Sequence, residues 1–457
     1  MRAPDRKLTI AVFGNGGRED ALAEAWARSP HVGRVVVSPG NMLIALKCAY
    51  GKVAVDPYCN LKSANSIVNA AVRNRADWAD VAQDDALASG AVDWLQSRGI
   101  PAFGPGKWPA RIEWDKFWQR RFADRHCISV PEWVPFESRD LVPAREYLAA
   151  IYETDPTHVV WVKAAGLCAG KGARKAASLA QALQRIEEMG MLGEAGATFL
   201  IEDGVDGVES SHFAVTDGTT FAHHFKTARD HKAAYDGEEG EMTGGMGAVA
   251  PAAPIGLSSW EGARFHLIDK VLVWLYLGGW PYVGILYAGA IADRWRRISI
   301  GIAPICLEHN ARWGDPEAQV VVPGIETDYA EMVDAAMSGT LREVTITEDA
   351  LYRVSVAVVA RGYPGNTDAV RRKRIFGIEK VLKMPDIRVY GAGVIVEDNR
   401  FYVGGGRLFH IVGEGATLAQ ARDRVYAALD EIRDEDNSIY YRRDIGLLDL
   451  QTRGNYC

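Results

Sequence analysis

The strongest constraint on this chain sits at its start, where a strand, a glycine turn and a helix follow one another directly. Leu8 to Phe13 is a run of apolar and β-branched residues, Gly14-Asn15-Gly16-Gly17 interrupts it, and apolar positions then recur at helical spacing from Arg18 to Arg28. Arg34 to Val37 reads as a second strand, closed by Ser38-Pro39-Gly40-Asn41, and Ala79 to Ala82 as a third, followed by a helix from Leu87 to Arg98. Strands that alternate with helices build a parallel sheet, because parallel neighbours need a crossover connection. The turn cluster Phe103-Gly104-Pro105-Gly106 ends the pattern, and a first domain is expected over residues 1–110.

The chain has 457 residues, 48% of them hydrophobic. A single core stops growing at roughly 250–300 residues, so two or three domains are expected. Beyond Arg111 a charged amphipathic helix leads to a buried strand, Val159 to Lys163, then a glycine-rich loop, a helix at Leu179 to Met189 and a strand at Thr198 to Glu202. Phe213 to Phe225 alternates as antiparallel strands do, and Tyr287 to Ala292 and Ile298 to Leu307 read as further strands. These predict a mixed domain over residues 111–345. A third domain, residues 346–457, carries expected strands at Arg353 to Val359, Gly391 to Glu397 and Arg400 to Val403 and a helix at Leu418 to Ile432. The fold class expected is multidomain, α/β followed by α+β.

The net charge of −7 is spread along the chain and gives no support to a nucleic-acid or anionic-membrane partner. The longest apolar stretches, such as Val271 to Leu277, fall short of the ~20 residues that span a bilayer, and the charged Met1 to Arg6 does not read as a signal peptide. The six cysteines (Cys48, Cys59, Cys127, Cys168, Cys306 and Cys457) include no pair at CxxC spacing. They read as reduced thiols, which points to a cytoplasmic protein without a disulfide framework.

Four segments carry candidate chemistry. At Gly14 to Gly17, glycines let backbone N–H groups approach an anion at a helix start, so a phosphate or carboxylate fits there as well as a simple packing turn does. The full GxGxxG spacing and a ribose-binding acid are missing, which argues against a nicotinamide cofactor. In Lys163 to Gly172, a strand delivers a lysine and a loop presents Gly170, Lys171 and Gly172, either as a lid over a triphosphate or as a solvated surface loop. In Glu308 to Glu317, strand alternation puts Glu308 and Asn310 on one face, a hard-oxygen pair suited to Mg²⁺, with Arg312 placed to hold a carboxylate or acyl phosphate. The competing reading is a polar strand end and a capped turn, and His309 is expected to face away and pack. Thr243 to Ala248, with Asp230-His231-Lys232 upstream, again suggests backbone near a ligand.

In this order the segments resemble one family, glycinamide ribonucleotide synthetase of the ATP-grasp superfamily, along essentially the whole chain. The likeness runs from Gly14-Asn15-Gly16-Gly17-Arg18-Glu19 through Asp115-Lys116, Lys163 to Gly172, Asp230-His231-Lys232, Thr243 to Ala248 and Asn310 to Gln319 to Gly405-Gly406-Arg407 and Tyr441 to Gly446. The resemblance implies a Rossmann-like N-terminal domain, a central ATP-grasp domain and a C-terminal domain that closes the site. It implies an ADP-forming carboxylate–amine ligase that works through an acyl phosphate, with ATP and Mg²⁺ (or Mn²⁺) as cofactors. The partners implied are a small carboxylate and an amine, and a monomer or homodimer is expected. Lys116, Lys163, Gly170, Lys171, Gly172, Glu202, Val205 and Glu209 are the implied nucleotide contacts. The resemblance also implies Glu308 and Asn310 as metal ligands and Arg312, Lys171 and Asp230 as the residues that carry catalysis. Gly16, Gly17, Asp20, Asp230, Lys232, Gly244, Gly245 and Arg312 are the implied substrate contacts.

The chain also departs from the family. Asp20 stands where the family has histidine, Ala82 to Leu87 replaces a prolyl segment, Ala165 replaces aspartate, Met242 replaces asparagine, and Ala228-Arg229 and Ala233 alter the segment around Asp230. A carboxylate at Asp20 would repel a sugar phosphate unless it points away. These changes predict altered substrates, as in natural-product biosynthesis. The alternatives are the housekeeping phosphoribosylamine–glycine ligase of purine biosynthesis and, in another class, a non-catalytic nucleotide-binding regulator.

Overall fold

The computed structural model describes residues 7–168, 172–253, 263–298 and 301–453. The N-terminal domain is a five-stranded parallel sheet of β1 (Leu8–Gly14), β2 (Val32–Pro39), β3 (Val53–Val55), β4 (Trp78–Val81) and β5 (Ala102–Phe103) in the order β3-β2-β1-β4-β5. β1 is nearly all buried because helices cover both faces of such a sheet, which explains its unbroken apolar run. The chain winds to one side of β1 and then to the other, so a crevice opens at the C-terminal end of β1, where Gly14 to Gly17 lie. The single helix expected from Leu87 to Arg98 is two, Asp84–Ala88 and Ala91–Ser97, broken at Gly90 with φ +81°.

A small antiparallel lobe follows, its strands in the order Trp133–Glu137, Thr198–Asp203, Val160–Ala164, Ala173–Ala176. The helices Val142–Thr154 and Leu179–Gly190 pack on it around their own apolar core, which includes Leu148, Ile186 and Phe199. The larger lobe is a four-stranded antiparallel sheet of Ala222–His224, Gly207–Asp217, Val283–Ile298 and Gly301–Asn310.

The C-terminal sheet recruits strands from far upstream. Arg229–Asp230 and Gly247–Ala250, expected in the central domain, pair in series onto Tyr352–Ala360, which pairs with Arg407–Gly415 and then Ile387–Gly391. No strand is expected over Arg407–Gly415, although it lies inside the sheet, between Tyr352–Ala360 and Ile387–Gly391. The strand expected over Gly391 to Glu397 is split between two sheets, Ile387–Gly391 and Val394–Glu397. Backbones meet at the break: a Cβ on Gly393 would lie 2.3 Å from the Gly405 oxygen. No helix among the described residues is long and apolar enough to cross a membrane.

Candidate active site

One cleft between the two central lobes gathers residues that the sequence spreads over two hundred positions. Lys116, Lys163, Gly172, Glu202, Val205, Glu209, Asp230, Lys232, Gly244, Glu308, Asn310 and Arg312 all line it. Gly170 and Lys171 lie outside the described residues.

The candidate nucleotide side is built on a buried charge triad. Asp115 caps helix Lys116–Arg125 by accepting the Trp118 N–H at 2.9 Å, and the Lys116 N–H donates to the Ala165 oxygen at 2.9 Å. This fixes the helix against the small lobe, with Lys116 at its first turn. Glu202 accepts from Arg120 Nε at 2.8 Å and Nη2 at 2.9 Å, and from Lys163 Nζ at 2.7 Å. Burial pushes the Glu202 carboxylate up, but Arg120 and Lys163 outweigh it and hold the group below its ordinary range. Arg120 was not among the residues singled out from sequence. An arginine inside an amphipathic helix looks solvated until the fold shows which carboxylate it meets.

The candidate metal side follows from strand alternation. Glu308 and Asn310 share the cleft face of Gly301–Asn310, and His309 points the other way, its Nε2 2.8 Å from the Leu267 oxygen and its Nδ1 3.1 Å from Gln119 Nε2. Burial raises Glu308, yet Lys232, Lys116 and Lys163 together bring it down to about 2, so it is ionised at any working pH. An ionised carboxylate and an amide oxygen on one face are hard donors that suit Mg²⁺. The strand stops at Asn310, so Arg312 stands past its end, where Glu113 fixes it at 2.8 Å and its Nη2 donates to Asn310 Oδ1 at 3.3 Å.

The third side carries the substrate candidates. Lys232 Nζ lies 3.4 Å from Glu209 and 3.6 Å from Glu308. Asp230 is pushed well up, by burial first and by Glu317 second, against the pull of Lys232 and Arg407. The Gly244 N–H donates to Tyr363 Oη at 3.1 Å, and its carbonyl accepts from Arg407 Nη1 at 2.6 Å. Gly245 has φ +109°, and a Cβ there would lie 2.3 Å from Pro316 Cδ and 2.7 Å from Asp230 Oδ1. Arg407 also holds Asp315 at 2.8 Å. Asp315 and Glu317 also line the cleft, in a segment whose motif was visible but whose acids were not singled out.

The N-terminal glycine turn lies among protein groups. Gly16 donates to the Glu19 carboxylate at 2.8 Å, and a Cβ on Gly17 would meet Gln319 at 2.6 Å and His410 at 2.8 Å. Asp20 departs from expectation. Its carboxylate points away from the cleft into the seam with the C-terminal domain, accepting from Lys47 Nζ at 2.8 Å and from the Gly391 N–H at 2.7 Å. Two of the other departures are absorbed in a similar way. Gln83 caps a helix by accepting from the Ala86 N–H, and Arg229 pairs at 2.5 Å with the buried Asp449. Asp84, within the replaced prolyl segment, and Met242 do line the cleft.

Comparison with known proteins decides the family. Models of the N, ATP-grasp and C domains of phosphoribosylglycinamide synthetase match residues 8–113, 114–318 and 353–448. The chain belongs to the phosphoribosylglycinamide synthetase family. It is 36% identical over 455 residues to a phosphoribosylamine–glycine ligase of Caulobacter vibrioides, covering 98% of this chain and 100% of the relative. It is 33% identical over 452 residues to one of Streptococcus pyogenes, covering 96% and 99%. The crystal structure of the phosphoribosylamine–glycine ligase of Thermotoga maritima superposes with a TM-score of 0.74 at 25% identity, covering 96% of this chain and 100% of that one. A biotin carboxylase domain from Hydrogenobacter thermophilus shares the fold with a TM-score of 0.67 at 14% identity, covering 98% and 94%. This phosphoribosylglycinamide synthetase homologue is therefore an ATP-grasp enzyme, an ADP-forming ligase that makes a carbon–nitrogen bond with ATP and Mg²⁺. The cleft has the parts for that chemistry.

Proposed function

We propose that this ligase joins glycine to phosphoribosylamine, the housekeeping reaction, and that the altered-substrate expectation is given up. The observation that carries the reading is Asp20. One part of the case for a changed acceptor was a carboxylate at Asp20 facing a sugar phosphate, and that charge is held by Lys47 and Gly391 instead. The end-to-end likeness to ligases of that name supports the same substrates.

In this reading a glycine carboxylate oxygen attacks the terminal phosphorus of ATP, ADP leaves, and an acyl phosphate forms. The amine nitrogen then attacks the acyl carbon, the carbon–oxygen bond to phosphate breaks, and inorganic phosphate departs. Phosphoryl transfer needs positioning and charge more than a side-chain nucleophile, and the cleft supplies these. Lys116 and Lys163 face the phosphates, Glu209 serves the ribose, and the strand from Glu202 toward Val205 meets the base. Glu308 and Asn310 would hold Mg²⁺, which would supply positive charge beside the phosphates. Arg312 steadies the acyl phosphate. Asp230, its affinity for protons raised by burial and Glu317, takes the proton that the amine sheds. We place the enzyme in the cytoplasm as a monomer or homodimer.

The test supplies ATP, Mg²⁺, glycine and freshly generated phosphoribosylamine and weighs the product. Formation of glycinamide ribonucleotide at roughly 1–1,000 per second supports the reading. ATP binding without that product, and turnover with another carboxylate and amine, would return the altered-substrate reading.

A further inference from the structure

Two ion-pair groups fasten one short hairpin, one to the C-terminal domain and the other to the small lobe. The hairpin is formed by Ala233–Tyr235 and Glu239–Met242, and its flanks carry Lys232, Met242, Thr243 and Gly244 into the cleft wall. On the C-terminal side, Arg442 Nη2 reaches Glu238 at 2.7 Å and Arg442 Nη1 donates to the Ala233 oxygen at 3.0 Å. Asp444 accepts the Gly237 N–H at 2.8 Å, and Asp236 accepts the Arg443 N–H at 2.8 Å. On the other side, Glu241 reaches across to the small lobe, to Arg174 at 3.2 Å and to Arg185 at 3.6 Å.

The position of Arg174 makes this more than a surface pair. It lies on Ala173–Ala176, directly after Gly172, so it moves with the strand that leads out of the glycine-rich loop. Arg185 also pairs with Glu188 at 2.9 Å within the small lobe, so both arginines keep a partner there if Glu241 is neutralised. Loss of the Glu241 charge therefore leaves the lobe's own packing intact and removes only the bridge. We propose that Glu241 is a positioning residue: through Arg174 and Arg185 it latches the nucleotide-side strand to the hairpin that carries the substrate-side residues, so that nucleotide binding and the setting of Lys232 and Gly244 are coupled. The proposal rests on the ligase reading for what the two sides bind, but the latch itself rests on the contacts.

The experiment is a double-mutant cycle on the full chain with MgADP as probe: Glu241→Gln, Arg174→Gln and both together. A latch predicts that Glu241→Gln weakens MgADP binding about 2- to 5-fold, the range for exposed ion pairs, and raises the ATP KM while kcat stays within about two-fold. It predicts that the double variant is no weaker than either single one, and that the wild type approaches the variants near 1 M salt, where the screening length is ~3 Å. Hydrogen exchange over residues 173–176 should quicken in Glu241→Gln even without nucleotide. Unchanged exchange and unchanged MgADP binding would overturn the latch, and so would single effects that multiply in the double variant. If the wild type bound no MgADP, the nucleotide assignment would fall, and exchange in the nucleotide-free protein would still decide the latch.

Discussion

Replacing Glu202 by Gln keeps the shape of the nucleotide side and removes the one charge that Arg120 and Lys163 share. Arg120 and Glu202 are both almost fully buried, and Lys163 is nearly so. Charge centres near 4 Å apart attract by about 4 kcal/mol at an effective dielectric of about 20, and the cost of burying the ions offsets much of that. Removing one partner of a buried pair leaves the other uncompensated and typically costs 3–5 kcal/mol. Glu202→Gln should therefore lower stability by about 3–5 kcal/mol. The assay is urea unfolding together with hydrogen exchange. The exchange should quicken first in strands 160–164 and 198–203 and helix 116–125, which the triad joins. The double variant Arg120→Met/Glu202→Gln removes one stranded cation and should recover part of the loss. A Glu202→Gln protein within about 1 kcal/mol of wild type, or a double variant less stable than the single one, would refute the reasoning.

Further outcomes follow from the same geometry. Glu308→Gln should weaken Mn²⁺ binding, read by titration, and cut turnover about 100- to 1,000-fold, since it removes the ionised donor. Asp20→Asn should leave the KM for the proposed sugar-phosphate substrate within about two-fold while lowering thermal stability by about 1–3 kcal/mol, because the charge serves the domain seam; a large KM change would restore Asp20 to the substrate site. Asp80, which accepts from Trp26 Nε1 at 2.8 Å, is pushed up to about 7, mainly by burial. Its folded value exceeds the ordinary 3.8, so its contribution is full below about pH 4 and is lost as pH rises toward 7. Asp80→Asn should thus be more stable than wild type at pH 8, by up to about 4 kcal/mol, with the gap closing toward pH 4 in denaturant titrations. Gly245→Ala should lose about 1–3 kcal/mol from its backbone conformation alone and should displace Pro316 or Asp230, seen as a fall in kcat/KM.

Much of the site was legible because its chemistry is local. Glu308 and Asn310 sit two apart on a strand, so alternation alone puts them on one face and sends His309 to the other. Lys163 leaves a buried strand just before a glycine-rich loop, and that order also survives in the sequence. Arg120, Arg407, Asp315 and Glu317 were harder to assign, because a charged residue acquires its role from a partner on another element. Asp20 misled for the same reason: its neighbour Lys47 lies 27 positions away, and Gly391 lies in another domain.

The sequence alone determined the parallel first domain, the mixed domain after it and the ligase family, since periodicity, glycine turns and motif order are properties of neighbouring residues. Only the tertiary structure decided that Arg229–Asp230 and Gly247–Ala250 complete the C-terminal sheet and that Gly391 to Glu397 divides between two sheets. It also decided that Glu241 bridges two lobes and that Asp20 turns from the cleft. These are contacts between segments tens to hundreds of residues apart, and charge pairing and strand pairing depend on distance in space, which spacing along the chain does not encode.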